Sequence, residues 1–185
     1  VYFDGDFCGH HSGRRAGEEL TVNKQFEWSG RHWLIPAVYV CGKGLVVDFC
    51  MKVEPSKIRT FMEKWNLNIE HEVEEEFSQE RQMLLELDDP LHLDFSSVLY
   101  LNGKELNATH SCGIVYNPCV LPGETVEWKA QYVVKHYGLD QSFGWMICRV
   151  CYPWATRRKP VIRTLCVKLI QEKISLPGPH FQVNR

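Results

Sequence analysis

The chain has 185 residues, 44% apolar and 24% charged, which is the composition of a globular domain and not of a disordered, collagen-like or coiled-coil chain. Lys plus Arg number 21 against 23 Asp plus Glu, and a net charge of −2 lacks the basic excess of a general nucleic-acid binder, so nucleic acid is not the expected partner. No uncharged apolar run approaches the ~18 residues of a membrane span, and a chain of this length buries about two-thirds of its unfolded surface without a disulfide staple.

The first residues, Val1-Tyr2-Phe3-Asp4, include no Met, and no basic segment followed by an apolar stretch and a small-residue cleavage site is readable there. Residues 1–19 are polar and turn-rich and read as a loop or arm. Phe26-Glu27-Trp28 and Trp33–Cys41 flank Ser29-Gly30, a hairpin pair. Gly42-Lys43-Gly44 then separates Cys41 from the strand-like run Leu45–Met51. Pro55 suits the first turn of a helix, and Ile58, Phe61, Met62 and Trp65 recur at helical spacing, so 55–66 reads as a short amphipathic helix. Residues 70–89 are acidic. Within them Ser78 is a candidate N-cap, Met83, Leu84 and Leu87 form one face, and Pro90 ends a helix over 78–88.

Beyond Pro90 the strand pattern returns. Leu93, Phe95, Val98, Leu99 and Leu101 lead into Asn102-Gly103, the strongest short hairpin signal, because both turn residues must tolerate positive φ. In 124–137, Val126, Trp128, Ala130, Tyr132 and Val134 share one parity, opposite Thr125, Glu127, Lys129, Gln131 and Lys135. That alternation favours a strand with one wet face, although His136-Tyr137-Gly138-Leu139 also has the form of a helix end. Residues 143–152 and 160–173 read as further strands. The expected fold is therefore mainly β: an antiparallel β-sandwich-like domain over 20–174, with one or two inserted helices in 55–89 and an irregular tail at 175–185.

The segments PAVYVCGKGLVVDFCMKV (36–53), DDPLHLDFSSVLYLNGKEL (88–106), HYGLDQSFGW (136–145), PWATRRKP (153–160) and LPGPHF (176–181) resemble an uncharacterised family of bacterial proteins. The resemblance covers most of the chain. It implies a bacterial origin and membership of a longer protein, and it carries no assigned activity, fold or site residue.

Eight cysteines are present, and Cys41, Cys50, Cys148 and Cys166 lie inside apolar, strand-like runs, where a free thiol behaves as a small hydrophobe. This points to reduced thiols and a cytoplasmic location. The run Asp4-Gly5-Asp6-Phe7-Cys8-Gly9-His10-His11 is the densest in metal-ligand types. Cys8, His10 and His11, completed by His110 and Cys112 with Cys119, are candidate zinc ligands, because zinc takes sulfur, imidazole and carboxylate donors. Cys148 and Cys151 have C-x-x-C spacing, but residues three apart on a strand point to opposite faces. Cys112 with His110 or His136 and Asp94 or Asp140 supplies the residue types of a cysteine hydrolase without its local signature. The acidic run Glu72 to Glu76 and the pair Asp88 and Asp89 read as a solvated face and a turn, not as two carboxylates across a cleft.

Of six tryptophans, Trp154 stands beside Arg157, Arg158 and Lys159 in a loop between strands. An aromatic platform next to three cations suits an acidic peptide or an anionic polymer. The leading expectation is a non-catalytic binding or protein-interaction module for an unknown protein or acidic ligand. A zinc protein built on the N-terminal cluster and a hydrolase with an unrecognised site are the alternatives. No cofactor other than zinc is indicated.

Overall fold

A computed structural model describes residues 1–7, 15–67, 79–120, 126–156 and 159–173. In chain order its elements are β1 (Glu18–Trp28), β2 (Arg31–Val40), β3 (Gly44–Val53), α1 (Pro55–Lys64), α2 (Gln79–Asp88), β4 (Phe95–Leu101), β5 (Lys104–Asn107), β6 (His110–Tyr116), α3 (Trp128–His136), β7 (Gly144–Pro153) and β8 (Leu165–Gln171). Two antiparallel sheets result, one ordered β1-β2-β3-β7-β6 and the other β5-β4-β8. The domain is thus mainly β and sandwich-like, with inserted helices.

Both hairpins form at the expected dipeptides. Ser29 and Gly30 take φ of 52° and 66°, and Asn102 and Gly103 take 51° and 78°. Positive φ at both central residues matches the turn's twist to that of the flanking strands. Asn102 also accepts hydrogen bonds at Oδ1 from the backbone N–H of Arg163 and Thr164, at 2.8 and 3.0 Å, which brings β8 alongside β4.

Between the sheets lies the larger core. Trp33, Leu45, Val47, Phe49, Met51 and Val150 of the five-stranded sheet meet Leu99, Leu101 and Leu106 of the smaller one. Leu165, Val167 and Leu169 pack in from β8 at the alternate positions expected. Ile58 and Met62, one turn apart on α1, add to this core, and Pro55 opens that helix. Trp33 is the hub of an aromatic cluster, 5.3 Å centroid to centroid from Phe95 and 5.6 Å from Trp28. Ser97 and Tyr152, both buried, join the sheets through a hydroxyl pair at 2.5 Å.

The opposite face of the five-stranded sheet is covered by α3 and by the first residues of the chain. The described part of 124–137 is therefore not a strand: it is helical from Trp128 to His136. Its buried residues are Ala130, Val133 and Val134, a helical stripe, whereas Trp128 and Tyr132 are 63% and 60% exposed. The apparent alternation arose by counting those two aromatics as core. Gly138, at φ 61°, ends the helix. Its N–H donates to Lys135 O, and the Leu139 N–H donates to Val134 O, the paired bonds of a left-handed helix cap.

Three smaller corrections follow. β1 begins at Glu18, and Phe3 is buried against the sheet, so residues 1–19 are not wholly a loose arm. α2 lies where a helix was expected, but Met83 and Leu84 on its anticipated apolar face are exposed, and Ser78 lies outside the described residues. β6 was not anticipated, although its alternate residues His110, Cys112, Ile114 and Tyr116 form its more buried face.

Candidate functional site

The outer face of the large sheet carries a polar centre. Asp48 and Arg149 are directly opposite in the β3–β7 register, and each is almost fully buried. Arg149 grips the carboxylate with both arms, Nε to Oδ1 at 2.8 Å and Nη2 to Oδ2 at 2.7 Å. The Tyr137 hydroxyl donates to Asp48 Oδ2 at 2.6 Å and lies 2.7 Å from the Tyr39 hydroxyl. Tyr39 in turn lies 3.4 Å from His136 Nε2, which meets Glu19 Oε2 at 3.1 Å. Burial alone would lower the Arg149 pKa, but the Asp48 carboxylate more than reverses this and holds it above its ordinary value. Burial, reinforced by Asp48, pushes both Tyr39 and Tyr137 up, so both hydroxyls stay protonated. The Phe7 ring closes over the guanidinium, 4.3 Å from its carbon. Arg149 Nη1 also donates to Asp6 O at 3.4 Å, no buried side-chain atom of the group lacks a partner, and the group ties α3 and the N-terminal segment to the sheet. Sequence reasoning missed it, although the signal was present: one Asp and one Arg, each flanked on both sides by apolar strand residues.

Beside this centre lies the second cluster. His110 and Cys112 are two apart on β6 and so share a face, opposite Cys151 and Arg149 on β7. Asp6 comes down from the N-terminal segment, and the ligand atoms of Asp6, His110 and Cys112 all lie within 4.8 Å of one another. This is the one such group among the described residues. His110 Nε2 is buried and has no hydrogen-bond partner there, a state that ordinarily costs about 1–3 kcal/mol. Burial pushes the Cys112 thiol up to about 11.

The structure therefore brings together two of the predicted ligands, His110 and Cys112, with a carboxylate from the predicted N-terminal run. Cys8, His10 and His11 lie outside the described residues. Cys119 packs against the other core, with its sulfur 3.6 Å from Pro55 O, and does not join the cluster. Seven cysteines are free thiols among the described residues. Cys148 and Cys151 diverge as their spacing requires, one toward each face of the sheet, so the C-x-x-C pair is not a site. Of the residues drawn for a hydrolase, Asp94 pairs with His92, Asp140 accepts from Ser142 and His136 is engaged with Glu19. None of these three joins Cys112.

Trp154 is not the exposed platform expected. Its indole N–H donates to Cys41 O and Gly42 O, both at 3.2 Å, and its own N–H donates to Lys43 O. The side chain packs against the turn between β2 and β3 and half enters the core. Arg157 and Arg158 lie outside the described residues. Lys159, however, lines a cleft of about 530 Å³ with Arg15, Lys43 and Glu18, above Phe3, Val40 and Cys41. Lys159 Nζ is 3.9 Å from Glu18 Oε2, an exposed contact worth little. A shallower groove of about 340 Å³ runs on from it past Leu20, Pro160, Val161 and Ile162. Leu20 and Val161 are 40% and 75% exposed.

This groove follows β1, an edge strand paired only with β2 among the described elements. The β1–β2 register shifts between Thr21 and Lys24, and Asn23 has φ 47°, a bulge that bends the strand. The regular stretch Glu18–Thr21, before the bulge, is the part beside the cleft.

No family model, no curated protein and no solved structure matches the chain.

Proposed function

We propose that the domain is a binding module that takes an acidic peptide in extended form along the Glu18–Thr21 edge of β1. One observation carries this reading: three cationic side chains, Arg15, Lys43 and Lys159, line one end of a groove whose other end is apolar and which borders a strand edge unpaired among the described residues. An exposed edge offers N–H and C=O groups for strand addition. The cations then select carboxylates and speed encounter, and Leu20, Val40, Val161 and Ile162 receive alternate apolar side chains. A cleft of this volume falls in the range of ordinary ligand sites. Of the loop first singled out, Lys159 keeps its role, and Trp154 acts by holding the β2–β3 turn that presents Lys43.

The test is fluorescence anisotropy with labelled peptides that alternate Glu with Val, against the same peptides with Lys in place of Glu. Acidic peptides should bind, and the affinity should fall with added salt. Lys43→Glu with Lys159→Glu should weaken binding about tenfold or more, equivalent to ~1.4 kcal/mol. Equal binding of acidic and basic peptides, or a charge-reversed variant that binds as well as the parent, would rule the reading out.

A further inference from the structure

We infer that Asp6, His110 and Cys112 form a binding site for one divalent transition metal of borderline softness, zinc foremost. Three observations support it independently of the peptide groove. Oxygen, nitrogen and sulfur ligand atoms converge within 4.8 Å of one another, although Asp6 and the β6 pair come from distant parts of the chain. Ligands held at 2.0–2.3 Å in a tetrahedron sit roughly 3.3–3.8 Å apart, so closing on an ion needs a shift of about an ångström, which the exposed Asp6 can supply. The donor set is also selective. A thiolate with an imidazole favours zinc over calcium or magnesium, which demand oxygen.

The third observation is His110 Nε2, buried and without a hydrogen-bond partner among the described residues. An ion bound through that nitrogen satisfies it. The neighbouring cation, Arg149, stands opposite Cys112; its two-armed pair with Asp48 on the adjoining β3 offsets its charge, and its Nη1 donates to Asp6 O at 3.4 Å, which helps place that segment beside β6. The three protein ligands come from one rigid strand and one surface segment. Among the described residues they leave a fourth position open, the arrangement of an exchangeable metal and not of a closed structural one. Chelation should therefore strip the metal and leave the fold standing.

Titration of the chelator-treated chain with Co²⁺ reads the site directly, because thiolate coordination gives a near-ultraviolet charge-transfer band. The expected result is saturation at about one ion per chain, with Zn²⁺ displacing Co²⁺. Cys112→Ser should abolish the band. His110→Ala and Asp6→Asn should each weaken binding by ~100-fold or more, beyond the 10–100-fold cost typical of an outer-sphere change. Asp6→Asn alters an exposed side chain and leaves the fold intact, so the test survives a misfolded Cys112 variant. Absence of the band in the parent chain, an undiminished band in Cys112→Ser, or affinities unchanged in both other variants would overturn the site.

Discussion

The two faces of the five-stranded sheet are built from alternate residues of the same strands, and they differ in kind. On β3, Leu45, Val47, Phe49 and Met51 face the smaller sheet, while Val46, Asp48 and Cys50 face the other way. On β7, Met146, Val150 and Tyr152 go inward, while Arg149 and Cys151 go outward. The inner face is apolar and aromatic and closes on a second sheet. The outer face holds an ion pair, two linked tyrosines and a run of thiols beneath a helix and a terminal segment. Non-directional burial holds the first face together. The second depends on each polar group meeting a specific partner, so it fails sharply when one partner is removed.

Substitutions on the two faces should expose this difference. The largest effects are Trp33→Ala on the inner face, about 3–5 kcal/mol from the cavity it leaves, and Arg149→Met on the outer face, about 3–5 kcal/mol from the buried carboxylate it strands. Denaturant unfolding measures both. The faces part company in the double variant: Asp48→Leu with Arg149→Met should cost less than Arg149→Met alone, because no uncompensated charge remains, whereas no second truncation beside Trp33 refills its cavity. A smaller effect separates the two sides of the covering helix. Val134→Ala should cost about 1–2 kcal/mol and Trp128→Ala within about 0.5 kcal/mol; a strand would have reversed the order. The finest distinction is chemical. Exposed Cys166 should alkylate readily with iodoacetamide at pH 8, while Cys50, with its thiol raised well above its ordinary value by burial, and Cys148, pushed up to about 12, should stay protected. Their labelling should rise only at strongly alkaline pH or on unfolding, and mass spectrometry of the labelled peptides would show it.

How much of this was legible beforehand depends on range. Ser29-Gly30, Asn102-Gly103 and Pro55 announce themselves because turn and cap chemistry is decided by adjacent residues. Helix α3 was misread because Trp128 and Tyr132 are large and apolar yet exposed, and residue type alone does not report burial. The His110–Cys112 pair was legible as ligand types, and its partner Asp6 lay in the run already singled out. What brings them together is the path of the N-terminal segment over β6 and β7, a tertiary fact. Asp48 and Arg149 were overlooked for the same reason: only the β3–β7 register makes them partners.

That register has a kinetic consequence. β3 and β7 are the central strands of the large sheet, paired residue for residue from Gly44–Pro153 to Val53–Gly144, yet residues 54–143, about half the chain, lie between them. The β1–β2–β3 meander closes through short turns and can assemble early, whereas the β3–β7 ladder waits on a long loop closure. Until it closes, β3 presents a bare edge of ten residues, nearly all apolar. The vulnerable interval for this domain is thus the time between the first meander and the arrival of β7, when self-association competes with folding. Refolding yield should therefore fall as protein concentration rises.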